Sequence, residues 1–230
     1  MLGPRLLAWL RACAGLAACG CAGAAPAWSP AELALLGAGS GPMPIVKLDL
    51  ARPDPASVLR QRALPVRPGE PALAPLAQRM RATLEETGGV GLAAPQVGVS
   101  RRVVLVRLGT RPAGQGTHVE IFVNPTIDWS SDETDDDYEA CLSIDAVGGL
   151  VRRPRRVRLS FDAPDGDRRR TIALDDWDAR IVQHELDHLE GVLFVDRLLG
   201  ALLPLDEMRR RRDEGHRRRG WLPAQAAPGP

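Results

Sequence analysis

The segment Gln183-His184-Glu185-Leu186-Asp187-His188 constrains this chain more than any other stretch. Its two histidines are four residues apart, and they can act together only if the backbone between them is helical, because positions i and i+4 of a helix project from one face. Two imidazoles so placed can grip one metal ion, and Glu185 can reach a water held there and act as its base. With four histidines and eleven glutamates in 230 residues, random placement gives His-Glu-x-x-His in about three chains per thousand. The neighbours agree with a helix from Trp177 to about Leu189, capped by Asp175 or Asp176. Ile181, His184, Glu185 and His188 share one face, and Val182, Leu186 and Leu189 can pack. The remaining histidines, His118 and His216, stand in polar or Arg-rich surroundings and are expected to be solvated.

A catalytic metal site needs a third protein ligand and an open position. Phe194 stands where the metzincin spacing after His188 would require a third histidine. Glu207 lies on a later segment at a distance that a gluzincin-type zinc endopeptidase could use. Cys141 is the better candidate, since its thiolate would complete a Cys-His-His set. Cys13, Cys19 and Cys21 crowd the N-terminus, so Cys141 has no partner for a disulfide within the domain. Such a cysteine is a buried small hydrophobe, a nucleophile or a ligand.

Composition limits the class. The chain is 44% hydrophobic and 26% charged, which excludes global disorder, and its length fits one domain with tails. A net charge of +1 gives no bulk electrostatic argument for nucleic acid, so no DNA partner is expected. Lys47 is the only lysine, and enrichment in Arg, Ala, Gly and Pro carries no functional weight. Residues 43 to 70 read as a Pro-studded extended arm. A helix follows on Leu73, Leu76, Met80 and Leu84 and stops at Gly88-Gly89. Strands are expected at Val103–Val106, at Glu120–Val123 up to Asn124-Pro125, near Leu150-Val151, at Val157–Phe161 and at Thr171–Leu174. The last two are joined by the turn Ala163-Pro164-Asp165-Gly166. Ser130 to Asp137 reads as a solvated acidic loop. Strands interleaved with hairpin turns and a few separate helices indicate an α+β fold: small, mainly antiparallel sheets around a central helix carrying His-Glu-x-x-His.

The ends read differently. Residues 1–42 look signal-like or like an extension upstream of a true start at Met43, outside the fold. Leu16-Ala17-Ala18-Cys19 matches a lipoprotein cleavage box, but the apolar run is short and split by Arg11. No stretch is long enough to span a bilayer. The catalytic domain is expected over 43–208, and 209–230 forms a basic tail ending in Pro and Gly.

Three separated segments together resemble the peptide deformylases. Gly89-Val90-Gly91-Leu92-Ala93-Ala94-Pro95-Gln96 resembles the family's first motif, Glu139-Ala140-Cys141-Leu142-Ser143 the second, and Gln183 to His188 with Leu189 and Gly191 the third. The resemblance covers about Met43 to Leu198. It implies removal of the formyl group from the N-terminal formyl-methionine of nascent polypeptides. The implied metal ligands are Cys141, His184 and His188, with Glu185 as general base. Gln96 and the backbone N–H of Leu142 would bond the formyl oxygen, and Gly89 and Gly91 would line the peptide cleft. Glu139 reads either as a support behind the ligands or as a salt-bridge residue, without chemistry of its own.

The resemblance further implies one divalent ion, Fe²⁺ ahead of Zn²⁺, a cytoplasmic location, and a basic C-terminal segment that can meet the ribosome. The alternatives are membrane anchoring through Cys19, an endopeptidase using Glu207, and a catalytically impaired deformylase-like binding protein. The last rests on two departures from the family pattern: Ala140 for Gly beside Cys141, and Asp145 where many members have Pro.

Overall fold

The structure, a computed structural model, describes residues 25–109, 118–166 and 169–220. Helix α1 (Pro30–Gly37) is followed by an extended arm with one 3-10 turn at Val58–Arg60, and then by α2 (Leu73–Thr87). Leu73, Leu76, Met80 and Leu84 are buried along one face of α2, each worth about 2 kcal/mol of apolar transfer. Gly88 ends that helix in the left-handed conformation. Strands β1 (Gly91–Ala93), β2 (Val103–Leu108) and β3 (His118–Ser130) come next, with a 3-10 turn at Ala94–Val97 between β1 and β2. Then follow β4 (Thr134–Cys141), β5 (Ile144–Pro154), β6 (Arg156–Asp162) and β7 (Arg170–Asp175). Helix α3 (Asp176–Leu189) leads through a 3-10 turn at Phe194–Arg197 to β8 (Leu203–Pro204) and α4 (Leu205–Arg218).

The strands form a five-stranded sheet, β1-β2-β3-β6-β7, and a three-stranded sheet, β4-β5-β8; every pairing is antiparallel. Helix α3 packs against β1, β2, β6 and β7 of the larger sheet and β5 of the smaller one. The expected α+β architecture around the His-Glu-x-x-His helix is therefore present. Val104, Val106, Phe122, Leu159, Ala179, Val182 and Leu186 belong to the core between that helix and the larger sheet. Asp176 and Asp178 in the first turn of α3 suit the positive end of its dipole. At the other end Gly191 has φ +72°, and a side chain there would strike the Arg60 carbonyl at 2.7 Å, so only glycine lets the arm cross the helix end.

Several expectations are corrected. Strand β3 does not stop at Asn124-Pro125. Asn124 takes φ 48°, and its side chain bonds Val66 N–H (2.9 Å), Val66 C=O (2.7 Å) and Asp162 (2.9 Å). The chain absorbs this as a bulge and keeps pairing with β6. The acidic run up to Asp137 is not a solvated loop, because β4 starts at Thr134 and Asp137 is buried. His216 is buried too, 2.6 Å from Asp137 Oδ2. This contact fixes the far end of α4, so the boundary expected at residue 208 falls inside a helix that continues to Arg218.

The N-terminal boundary also differs. Residues 1–24, with the lipoprotein box and Cys19, lie outside the described residues, but residues 26–42 pack on the domain. Arg101 is 1% exposed. Its guanidinium donates to both Glu32 oxygens (2.8 Å each) and to the carbonyls of Pro26 (2.7 Å) and Ala27 (2.6 Å). Trp28 stacks on it, with its ring centroid 4.6 Å away. Arg79 bonds the carbonyls of Leu35 and Gly41. Among the described residues no helix is long and apolar enough to cross a membrane.

Glu32→Ala would leave Arg101 buried without its counter-charge, and loss of one member of a buried pair costs about 3 kcal/mol or more. Urea unfolding should show a lower midpoint at an unchanged slope. A chain starting at Met43 should be at least as strongly destabilised.

Candidate metal centre

Strand β4 delivers Cys141 and helix α3 delivers His184 and His188 to one point. The three candidate ligand atoms lie within 4.8 Å of one another. Cys141 Sγ is 3.3 Å from His188 Nε2. Glu139, two residues before the cysteine on β4, accepts from His184 Nδ1 at 2.9 Å. That bond fixes the tautomer and aims Nε2 of His184 at the centre.

Glu139 is itself held by Arg153 through two bonds (2.7 and 2.8 Å) and by Arg180 (2.8 Å). Asp187, inside the His-Glu-x-x-His segment, completes the array by accepting from Arg153 (2.7 Å) and Arg197 (2.6 and 2.7 Å). Burial alone would raise the Glu139 carboxyl, but the charge and hydrogen bonds of Arg153, with His184 beside it, hold it well below the usual carboxylate range. Cys141 behaves alike: burial opposes ionisation, and the adjacent His188 and His184 overcome it and hold the thiol well below its ordinary value. His184 is pushed well above the ordinary imidazole value despite burial, by Cys141 and Glu139. Anionic sulfur and carboxylate thus demand a positive charge at this point. A divalent cation on the thiolate and the two imidazoles would satisfy that demand in place of a proton.

Glu185 points inward from the same helix. Burial lifts its carboxyl to about 7, although His184 and His188 pull it down. Its Oε2 is buried and makes no hydrogen bond in the structure. An acceptor left open at this depth fits a water held between it and a metal ion. Gln96 lies opposite and is 2% exposed. Its Oε1 accepts from Ala93 N–H (2.8 Å), which turns Nε2 toward Cys141 Sγ and Ser143 Oγ, both at 3.4 Å.

The centre opens into a cleft of about 420 Å³ whose walls include Gly88–Gly91, Ala140–Leu142, Trp177, Ile181 and one face of α4. Gly89 and Gly91 both line it. Gly91 has a second function that the sequence reading missed: a side chain there would overlap Glu185, 2.3 Å from Oε1. The signal was present, since a glycine near a buried carboxylate allows close approach, but only the fold pairs the two residues. Asp145, the departure from the expected Pro, forms an ion pair with Lys47 (2.6 Å), which also bonds the Leu142 carbonyl (2.9 Å). Glu207 is not part of the cluster. It lies on α4 and pairs with Arg211, so the endopeptidase reading loses its third ligand.

A family model described as Polypeptide deformylase matches residues 49–201. The chain belongs to that family. A peptide deformylase of Desulfitobacterium hafniense is 42% identical over 142 residues, covering 62% of this chain and 89% of that relative. One from Roseiflexus castenholzii is 37% identical over 165 residues, covering 67% and 87%. Among solved structures, a class I type b peptide deformylase from Acinetobacter baumannii bound to Met-Ala-Ser has a TM-score of 0.62 at 35% identity, covering 70% of this chain and all of that one. A deformylase from Synechococcus elongatus in complex with actinonin has a TM-score of 0.61 at 33% identity, covering 75% and 86%. This deformylase is a metal-dependent hydrolase that removes the formyl group from N-terminal formyl-methionine. The family match begins at residue 49, so the packed segment 26–42 lies outside it.

Gly91→Ala should displace the Glu185 carboxylate while leaving the three ligand side chains in place. A shift of about 1 Å at a reacting group costs on the order of a hundredfold in turnover. Metal content measured by elemental analysis should stay near one ion per chain while kcat falls by that factor.

Proposed function

We propose that Cys141, His184 and His188 hold the metal of this deformylase and that Glu185, Gln96 and Leu142 do the proton and oxygen work of the hydrolysis. A divalent ion in this ligand set supplies Lewis acidity and lowers the pKa of water. Glu185 takes the proton of the attacking water and later hands it to the departing amine of methionine. Its elevated carboxyl suits both directions of transfer near neutral pH. Gln96 Nε2 and the Leu142 backbone N–H donate to the formyl oxygen as negative charge develops on it. Both donors are fixed beforehand, Gln96 by Ala93 and the Leu142 loop by Lys47, so they need no reorganisation during the step. Gly89 and Gly91 let an extended peptide lie against the backbone of the cleft. The observation that carries this reading is the convergence of the three ligand atoms beside an unpartnered, buried Glu185 oxygen.

The ion is Fe²⁺ in this reading, with Zn²⁺ as the alternative. One soft thiolate with two imidazoles accepts either, and affinity alone favours zinc. The enzyme acts in the cytoplasm on nascent formylmethionyl chains, and the basic residues of α4 provide its contact to the ribosome. The binding-protein alternative is not favoured: Glu185 and Gln96, the base and the donor of this reading, both line the cleft beside Cys141.

On formyl-Met-Ala-Ser, Glu185→Gln should retain the metal and lose about a thousandfold in kcat, whereas Cys141→Ala should lose the metal itself. A near-normal rate in Glu185→Gln would remove that residue as the base.

Aerobic preparations should carry mostly zinc and turn over slowly, and anaerobic loading with Fe²⁺ should raise the rate. Peroxide should then inactivate the iron form and oxidise Cys141, read by intact-protein mass spectrometry. Equal rates for the two metal forms, without peroxide sensitivity, would identify a zinc enzyme.

A further inference from the structure

Helix α4 turns one face to the cleft: Leu205, Met208, Arg209 and Arg212, spaced i, i+3, i+4 and i+7, all line it. This wall is anchored. Met208 is fully buried, His216 bonds Asp137, and Arg219 reaches Asp135 at 2.8 Å. Most charges around the cleft are neutralised within it. Lys47 pairs with Asp145, and Arg180 pairs with Glu139. Arg212 stacks over Trp177 at 5.8 Å; its buried Nε makes no hydrogen bond, with Asp213 at 3.6 Å. Arg209 is exposed and has no ion-pair partner among the described residues. The α4 side of the cleft therefore carries uncompensated positive charge within reach of a peptide whose formyl end lies at the metal.

Building on the deformylase reading, we propose that Arg209 is a specificity-determining residue that recognises a carboxylate in the first residues after formyl-methionine, so that chains with Asp or Glu at position two or three are preferred. A guanidinium recognises carboxylate by charge and by paired N–H donors. The contact lies away from the reacting carbon and is made equally before and during the reaction. It therefore acts on KM and kcat/KM, not on kcat.

The test compares formyl-Met-Asp-Ser, formyl-Met-Ala-Asp, formyl-Met-Ala-Ser and formyl-Met-Lys-Ser, each as free acid and as C-terminal amide. The wild type, Arg209→Ala and Arg209→Glu are used, all as full chains loaded with metal. In the wild type, acidic amides should exceed the Lys amide in kcat/KM by about tenfold at low salt, the span expected of an exposed charge contact counted in both directions. The ratio should shrink at 0.5 M salt, level in Arg209→Ala and invert in Arg209→Glu. Each comparison is a ratio within one variant, so a general loss of activity cancels. A preference seen only for free acids, and lost with Arg209, would assign the carboxylate to the peptide terminus and overturn the side-chain preference. Equal acidic-to-basic ratios in all three proteins would overturn the proposal while leaving the deformylase reading intact. No turnover of any peptide by the wild type would overturn both.

Discussion

The carboxylate of Glu139 is buried on the strand that ends at Cys141, and it gathers Arg153, Arg180 and the Nδ1–H of His184. A carboxylate at this depth is tolerable only when its acceptor positions are filled by charged donors. The donors come from two parts of the molecule: Arg153 from β5, and Arg180 and His184 from α3. The anion therefore joins the small sheet to the central helix, and the join sits two residues from the candidate ligand Cys141. Asp187 repeats the device below it, tying Arg153 and Arg197 to the same helix. Ligand geometry is set by these bonds and by the packing of Val182 and Leu189 against the larger sheet.

Around that frame the chain places its flexible chemistry in rigid surroundings. The donor amide of Gln96 is oriented by Ala93, and the carboxylate of Glu185 fits only because Gly91 carries no side chain. The arm at Val46 and Leu48 bonds the carbonyls of Gln96 and Ser143 (2.8 Å each), which braces the backbone on both sides of the proposed oxyanion position. Segment 26–42 continues that arm and closes over Arg101. The part of the chain that precedes the family match is thereby linked mechanically to the part that performs the reaction.

Much of the site was legible in the sequence, because its chemistry is local. His184, Glu185 and His188 are fixed relative to one another by helix periodicity alone. Turn residues such as Gly88 and Ala163-Pro164-Asp165-Gly166 report their own backbone conformation. The α2 face, β2 and the β6–β7 hairpin follow from patterns of apolar residues a few positions apart. The reading failed where a residue is held by a distant partner. Asn124-Pro125 looked like a stop signal until the Asn124 side chain found Val66 and Asp162. His216 and Asp137 each looked solvated because each was considered without the other.

The sequence by itself determined the His-Glu-x-x-His helix, the donor types it offers to an ion and the α+β class, since these depend on spacing within a few residues and on the chemistry of single side chains. Only the tertiary structure brought Cys141, and not Glu207, beside His184 and His188. It alone showed that Gly91 makes room for Glu185, that residues 26–42 belong to the packed domain, and that α4 walls the cleft. The physical reason is the same in each case: these outcomes depend on which groups far apart in the chain come to share one low-dielectric space. No local pattern encodes that distance.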